Sequence, residues 1–185
     1  FRPRSTDDTL MGKDTFSEMV GVPIDDFITG KTIPVDVYVK LSDDKFVKVA
    51  KAGSSTQKQQ LGSYQDKRVE TLWVQRKDHN TLMRLSVAVA GILVNRGDVG
   101  DAKKTESITR AAQHIFNELD HMALDEKIYE EAKKVTAHTV QLVEYQPEIS
   151  RILEGLAACS DDLIRHSMAV SVFSVMIGKA MKWQK

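Results

Sequence analysis

The sequence predicts an α+β protein: a small N-terminal α+β domain with a β-hairpin and a third strand, followed by an all-α helical linker or bundle. Three observations carry this reading. Valines alternate with polar residues over "IPVDVYVKL", the period of a half-buried strand. Beyond Gly100 the apolar residues recur at spacings of four and three, which is helical. Near the C-terminus a run from Leu163 to Met181 is apolar on most of its circumference, so it must be buried on several sides.

Residues 1–15 are polar, lack an apolar signal core and an initiator methionine, and read as a flexible, trimmed tail rather than a secretion signal. Residues 16–100 form the expected α+β domain. In it Val35, Val37 and Val39 alternate with Asp36, Tyr38 and Lys40, "SDDK" supplies a turn, and Phe46, Val47 and Val49 continue the pattern, which makes a hairpin. "GSSTQKQQLGSYQDK" is expected to turn into a short helix, "RVETLWVQ" to be the third strand carrying Trp73, and Asp78 to cap a helix reaching Asn95. Residues 101–145 are a helical linker. Ile108, Ala112, Ile115, Leu119 and Met122 form a seam of about two heptads. Ile128, Ala132, Val135, Thr139 and Leu142 form a second seam after "ALDE". The seams suit a homodimer through residues 101–145, and equally a helical hairpin inside a bundle. Pro147 opens a further helix with Ile149, Ile152, Leu153 and Leu156 on one face, and Ser160 or Asp161 caps the last one.

A chain of 185 residues, 42% apolar, makes one ordinary domain or two small ones with a true core. Lysine plus arginine (26) balances aspartate plus glutamate (26), so no nucleic acid and no membrane surface is expected as a partner. The run from Val87 to Val94 is far shorter than the ~20 residues a spanning helix needs. Cys159 is the only cysteine and makes no intrachain disulfide, which fits a cytoplasmic protein.

The stretch "LIRHSMAVSVFSVMIGKAM" resembles the first core helix of HD-GYP domains, the helical phosphodiesterases of bacterial cyclic di-GMP signalling. Leu163, Arg165, His166, Ser167, Val170, Ser171 and the pair Ile177 and Gly178 carry the likeness. The segment "EEAKKVTAHTVQLVEYQPEISRILEGLAACSDDLIRH" is similar to the helical lead-in of such domains, and residues 16–100 to an accessory domain found upstream of some of them. On this resemblance residues 146–185 begin a truncated HD-GYP-like domain. The resemblance implies that His166 is a metal ligand and that Asp162 joins it, at a place where trinuclear members carry glutamate. It also implies a divalent metal, iron or manganese, in the complete parent domain, with cyclic di-GMP opened to a linear dinucleotide. The family's His-Asp pair and Gly-Tyr-Pro loop do not occur in this sequence, so the chain is expected to be inactive by itself. A bridging hydroxide between cations is what such hydrolysis requires, and two ligands hold no cluster.

Plainer roles stand beside these. His166 also suits a histidine satisfied by a backbone carbonyl, and "SDD" is an ordinary helix start where carboxylates favour the dipole. His114, His121 and His138 lie near the seam without the close spacing of a ligand set. Trp73, Tyr38 and Phe46 can floor a pocket or pack a core. Lys40, Lys45, Lys48, Lys51, Lys67, Arg68, Arg76 and Lys77 are interspersed with Asp43, Asp44, Asp66 and Glu70, the pattern of a solvated surface. A scaffold with a degenerate HD-related helical domain is the competing function.

Overall fold

The structure, a computed structural model, describes residues 19–24, 27, 32–43, 45–55, 64, 69–119, 125–146, 148–157, 159 and 161–183. The chain divides into two compact units, Phe1–Leu82 and Met83–Lys185. The units meet between Leu82 and Met83, inside a helix, whereas the sequence places the division near residue 100. The expected tail over residues 1–15, most of the expected turn and short helix of residues 53–67, Met122, His121, Pro147 and Ser160 lie outside the described residues.

In the first unit four antiparallel strands, β1 (Met19–Pro23), β2 (Val37–Ser42), β3 (Lys45–Ala50) and β4 (Thr71–Gln75), form one sheet in the order β1-β4-β2-β3. The α+β class is as the sequence predicts, and so are the β2–β3 hairpin and the third strand, β4. Strand β1 is an addition. Gly21 and Pro23 interrupt its alternation, and its pairing with β4, Val20 opposite Val74, joins residues far apart in sequence. One face of the sheet buries Val20, Val22, Val37, Val39, Leu72 and Val74 against Ile24, Phe27, Ile33, Val35 and Leu82.

Strand periodicity sends Gly21, Trp73, Tyr38, Lys40, Phe46 and Lys48 to the other face. Trp73 lies across the bare backbone of Gly21, where a β-carbon would sit 3.7 Å from the indole. Its ring meets Phe46 edge-on at 5.4 Å, and Lys40 lies 5.4 Å from the indole centroid. The aromatics thus pack on one another and on lysine stems. Both lysines are paired as well, Lys40 with Asp43 at 2.8 Å and Lys48 with Asp36 at 2.7 Å. Asp36 also accepts a hydrogen bond from the amide of Ala52 at 2.8 Å. The Lys48 ammonium holds the Asp36 carboxyl below the usual carboxylate range, and burial pushes the Tyr38 hydroxyl up.

Helix α1 (Arg76–Val94) follows β4 without a break. It starts two residues ahead of Asp78, which sits in its first turn rather than capping it. The second unit takes the remainder of α1 with α2 (Asp101–Leu119), α3 (Glu126–Tyr145), α4 (Ile149–Ala157) and α5 (Asp162–Ala180). Helix α2 packs against α3, α4 and α5. Its seam residues Ile108, Ala112 and Ile115 are buried in one core with Ile128, Val135 and Leu142 of α3, Ile152 and Leu156 of α4, and Ile164, Met168 and Val172 of α5. Apart from Leu119, which is exposed, the described residues of the two seams therefore face the inside of a bundle, which is the helical-hairpin alternative.

Local chemistry sets the helix limits. Asp125 accepts from the amide of Ile128 at 2.7 Å and Asp161 from that of Ile164 at 3.0 Å, two N-caps that satisfy donors a first turn leaves free. Glycine is required at 155: a β-carbon there would lie 2.4 Å from the β-carbon of Thr105 and 2.7 Å from the carbonyl oxygen of Ala102. Helices α2 and α4 thereby approach backbone to side chain. Asp101 closes the same corner, accepting from Gln146 and facing Arg151 at 3.8 Å.

Candidate functional site

Helix α5 carries both residues that the sequence nominates. Ile164, Met168 and Val172 are its buried face. Asp162 and His166 are exposed and four residues apart, so they share one side of the helix one turn apart. The outer surface also holds Leu163 (67% exposed), Val170 (49%), Phe173 (45%) and Ile177 (54%). Such a row of large apolar side chains on one solvent-facing helix is uncommon in a single folded chain.

The helix ends in a Schellman motif. Lys182 takes the left-handed conformation at φ 55° and its amide donates to the carbonyl of Lys179 at 3.1 Å. The amide of Trp183 donates to the carbonyl of Gly178 at 3.0 Å, and the indole lies over Gly178. Lys179 reaches the carbonyl of Val143 at 3.3 Å, which ties the end of α5 to α3.

Whether these residues fit a metal is decided by their neighbours. The Asp162 carboxylate accepts a hydrogen bond from the guanidinium of Arg165, whose other amino group donates to the carbonyl of Cys159 at 3.0 Å. Among the described residues there is no group of three or more histidine, cysteine, aspartate or glutamate side chains able to hold an ion. Two exposed groups, one already paired with a cation, do not make a metal centre. The described residues therefore do not by themselves fit the iron or manganese cluster.

The other residues singled out by sequence fall elsewhere. His114 is buried in α2, away from the exposed side of α5 that carries His166. His138, on α3, presses its ring against Gly91 of α1, where a β-carbon would come within 2.7 Å of it, and its Nδ1 is buried without a partner. It borders an open groove of about 770 Å³ that includes Arg84, Asn95, Glu131 and Lys134. Lys134 is paired with Glu131 there at 2.8 Å. This groove was not legible in the sequence, because the residues on α1 and α3 are some forty positions apart and each helix alone shows only an ordinary mixed face.

A second groove, about 440 Å³, runs between α2, α3 and α5 beside Val170. Four hydroxyls reach it, and all are engaged: Thr136, Thr139, Ser171 and Ser174 each donate to the carbonyl four residues earlier, at 2.8 to 3.0 Å. Its walls are left effectively apolar. Among the described residues no helix is long and apolar enough to cross a membrane. No family model, curated protein or solved structure matches the chain.

Proposed function

We propose that this chain is the regulatory N-terminal portion of a bacterial, cytoplasmic HD-GYP-type cyclic di-GMP phosphodiesterase and is itself inactive. The observation that supports this reading is the placement of Asp162 and His166: one turn apart, exposed, on the helix whose sequence resembles the first core helix of that family. A ligand pair displayed on an outer helical surface is accessible to ligands from other elements, which is what a partial site requires. In this reading the sheet unit receives a signal, the helices relay it, and iron or manganese is held only once further ligands are supplied.

One observation favours the scaffold alternative. Arg165 engages Asp162, as an ordinary helix start with an ion pair would have it. The experiment that separates the two is a comparison of this chain with a longer polypeptide read from its gene beyond Lys185. The phosphodiesterase reading expects a His-Asp pair and a Gly-Tyr-Pro loop in the added sequence, bound iron or manganese, and hydrolysis of cyclic di-GMP that His166→Ala abolishes. Added sequence without those elements, or full metal content in His166→Ala, overturns it.

A further inference from the structure

The groove between α1 and α3 holds a cation that the fold leaves unanswered. Its lining comes wholly from the helical unit, and its volume of about 770 Å³ is that of a small-molecule site, roughly 300–1,000 Å³. Arg84 stands at its edge with an exposed side chain, and among the described residues no carboxylate lies within ion-pair reach of the guanidinium. The one acid in the lining, Glu131, is taken by Lys134 at 2.8 Å. The acids within one helical turn of the lining residues are taken as well, Asp98 by Arg96 at 2.9 Å and Glu130 by Lys133 at 3.0 Å. The lining therefore carries one positive charge in excess.

Its hydrogen-bonding groups have the same bias. Arg84 brings five N–H donors in a planar fork, and the Lys134 ammonium keeps two beyond the one given to Glu131. Asn95 spends its amide nitrogen on the carbonyl of Gly91 at 2.8 Å. His138 closes the wall. Its Nε2 edge lies against Gly91, where any side chain would strike the imidazole at 2.7 Å, and its Nδ1 is buried without a partner. Between these groups Val87, Ala88 and Ile92 supply aliphatic surface, with Ile92 62% exposed.

We infer that this groove binds a small amphipathic monoanion, a carboxylate on an apolar body. The carboxylate takes the fork of Arg84 in a bidentate pair, and the body covers Val87 and Ile92. A single excess cation answers a single negative charge, whereas a dianion would carry an unpaired charge onto the aliphatic wall. The inference goes beyond the phosphodiesterase reading and does not rest on it. It uses none of the residues of α5, so Asp162 and His166 stay open.

The probes are naphthoate and its uncharged amide, titrated into the full chain and followed by backbone amide chemical shifts. Naphthoate should give saturable shifts centred on residues 84–95 and 131–138, with a dissociation constant on the order of 1 mM, ordinary for a ligand of that size. The amide should bind about tenfold more weakly, having lost a charge-assisted pair. Arg84→Gln, at an exposed position, should keep the fold and bind acid and amide alike. No saturation by about 10 mM naphthoate, equal binding of acid and amide by the parent chain, a preference for the acid that survives Arg84→Gln, or shifts confined to the groove of α2, α3 and α5 each overturns the inference. None of these readouts involves metal or turnover, so this site and the phosphodiesterase reading fail independently.

Discussion

Replacing Gly155 by alanine puts one methyl group where α2 and α4 leave no room. Taken alone, the exchange inside a helix is favourable by about 0.8–1.0 kcal/mol, because alanine loses less backbone freedom. The structure reverses the sign. The new β-carbon meets the β-carbon of Thr105 at 2.4 Å, the carbonyl oxygen of Ala102 at 2.7 Å and the γ-methyl of Thr105 at 3.0 Å. Rotating Thr105 moves the last contact only. The first two are fixed to the α2 backbone, so the helices must separate, and separation loosens Ile152 and Leu156 in the core. Overpacking of this kind costs about 1–3 kcal/mol, and an obstruction that no rotamer relieves belongs at the upper end. The net expectation is a destabilisation of about 2 kcal/mol, or a fall of roughly 8–16 °C in the melting of the helical unit. Urea unfolding followed by far-ultraviolet circular dichroism measures it. Gly97→Ala is the control, since a β-carbon there meets nothing within 4 Å, and it should stay within about 0.5 kcal/mol of the parent chain. If Gly155→Ala is as stable as that control, the close approach of α2 and α4 is wrong.

Two further predictions concern single residues. Asp36→Asn should flatten the acid limb of the stability profile: the Asp36 carboxyl is held low by Lys48, so its contribution is present above its unfolded pKa near ~4 and is lost as pH falls through its lower folded value. An acid unfolding curve unchanged by Asp36→Asn would remove the Asp36–Lys48–Ala52 tie from the account. Lys182→Gly should raise stability by about 0.5–1 kcal/mol in thermal melts, because a side chain at φ 55° is strained where glycine is not; a loss of stability would show that the Schellman turn depends on the lysine itself.

Much of the fold was legible in the sequence because it rests on local periodicity. Val37 and Val39 announce β2 by alternation, Asp161 announces the start of α5 by its side chain, and the seam of Ile108, Ala112 and Ile115 announces a buried helix. What stayed hidden depends on partners distant in sequence. Strand β1 exists because β4 pairs with it and because Trp73 covers Gly21, and nothing within "MVGVP" states either condition. Tyr38 occupies a position on the strand's polar side yet is buried, since the aromatic–lysine layer closes over it. At the candidate site, the spacing of Asp162 and His166 was readable, whereas the diversion of Asp162 to Arg165 is a matter of rotamers.

The fate of the seams shows why identical spacing does not fix what a helix meets. Helix α2 has one apolar stripe, and α3, α4 and α5 supply enough neighbours to bury it. Helix α5 has two. Ile164, Met168 and Val172 face the bundle, while Leu163, Val170, Phe173 and Ile177 repeat the same chemistry on the opposite side. Burying one stripe of a helix against two or three neighbours leaves the other side in water, and each half-exposed apolar side chain there forgoes roughly half of the ~1.5–3 kcal/mol that full burial gives. A second stripe therefore only becomes stabilising when another surface covers it. The same spacing thus meets a packed interior on α2 and solvent on the outer side of α5.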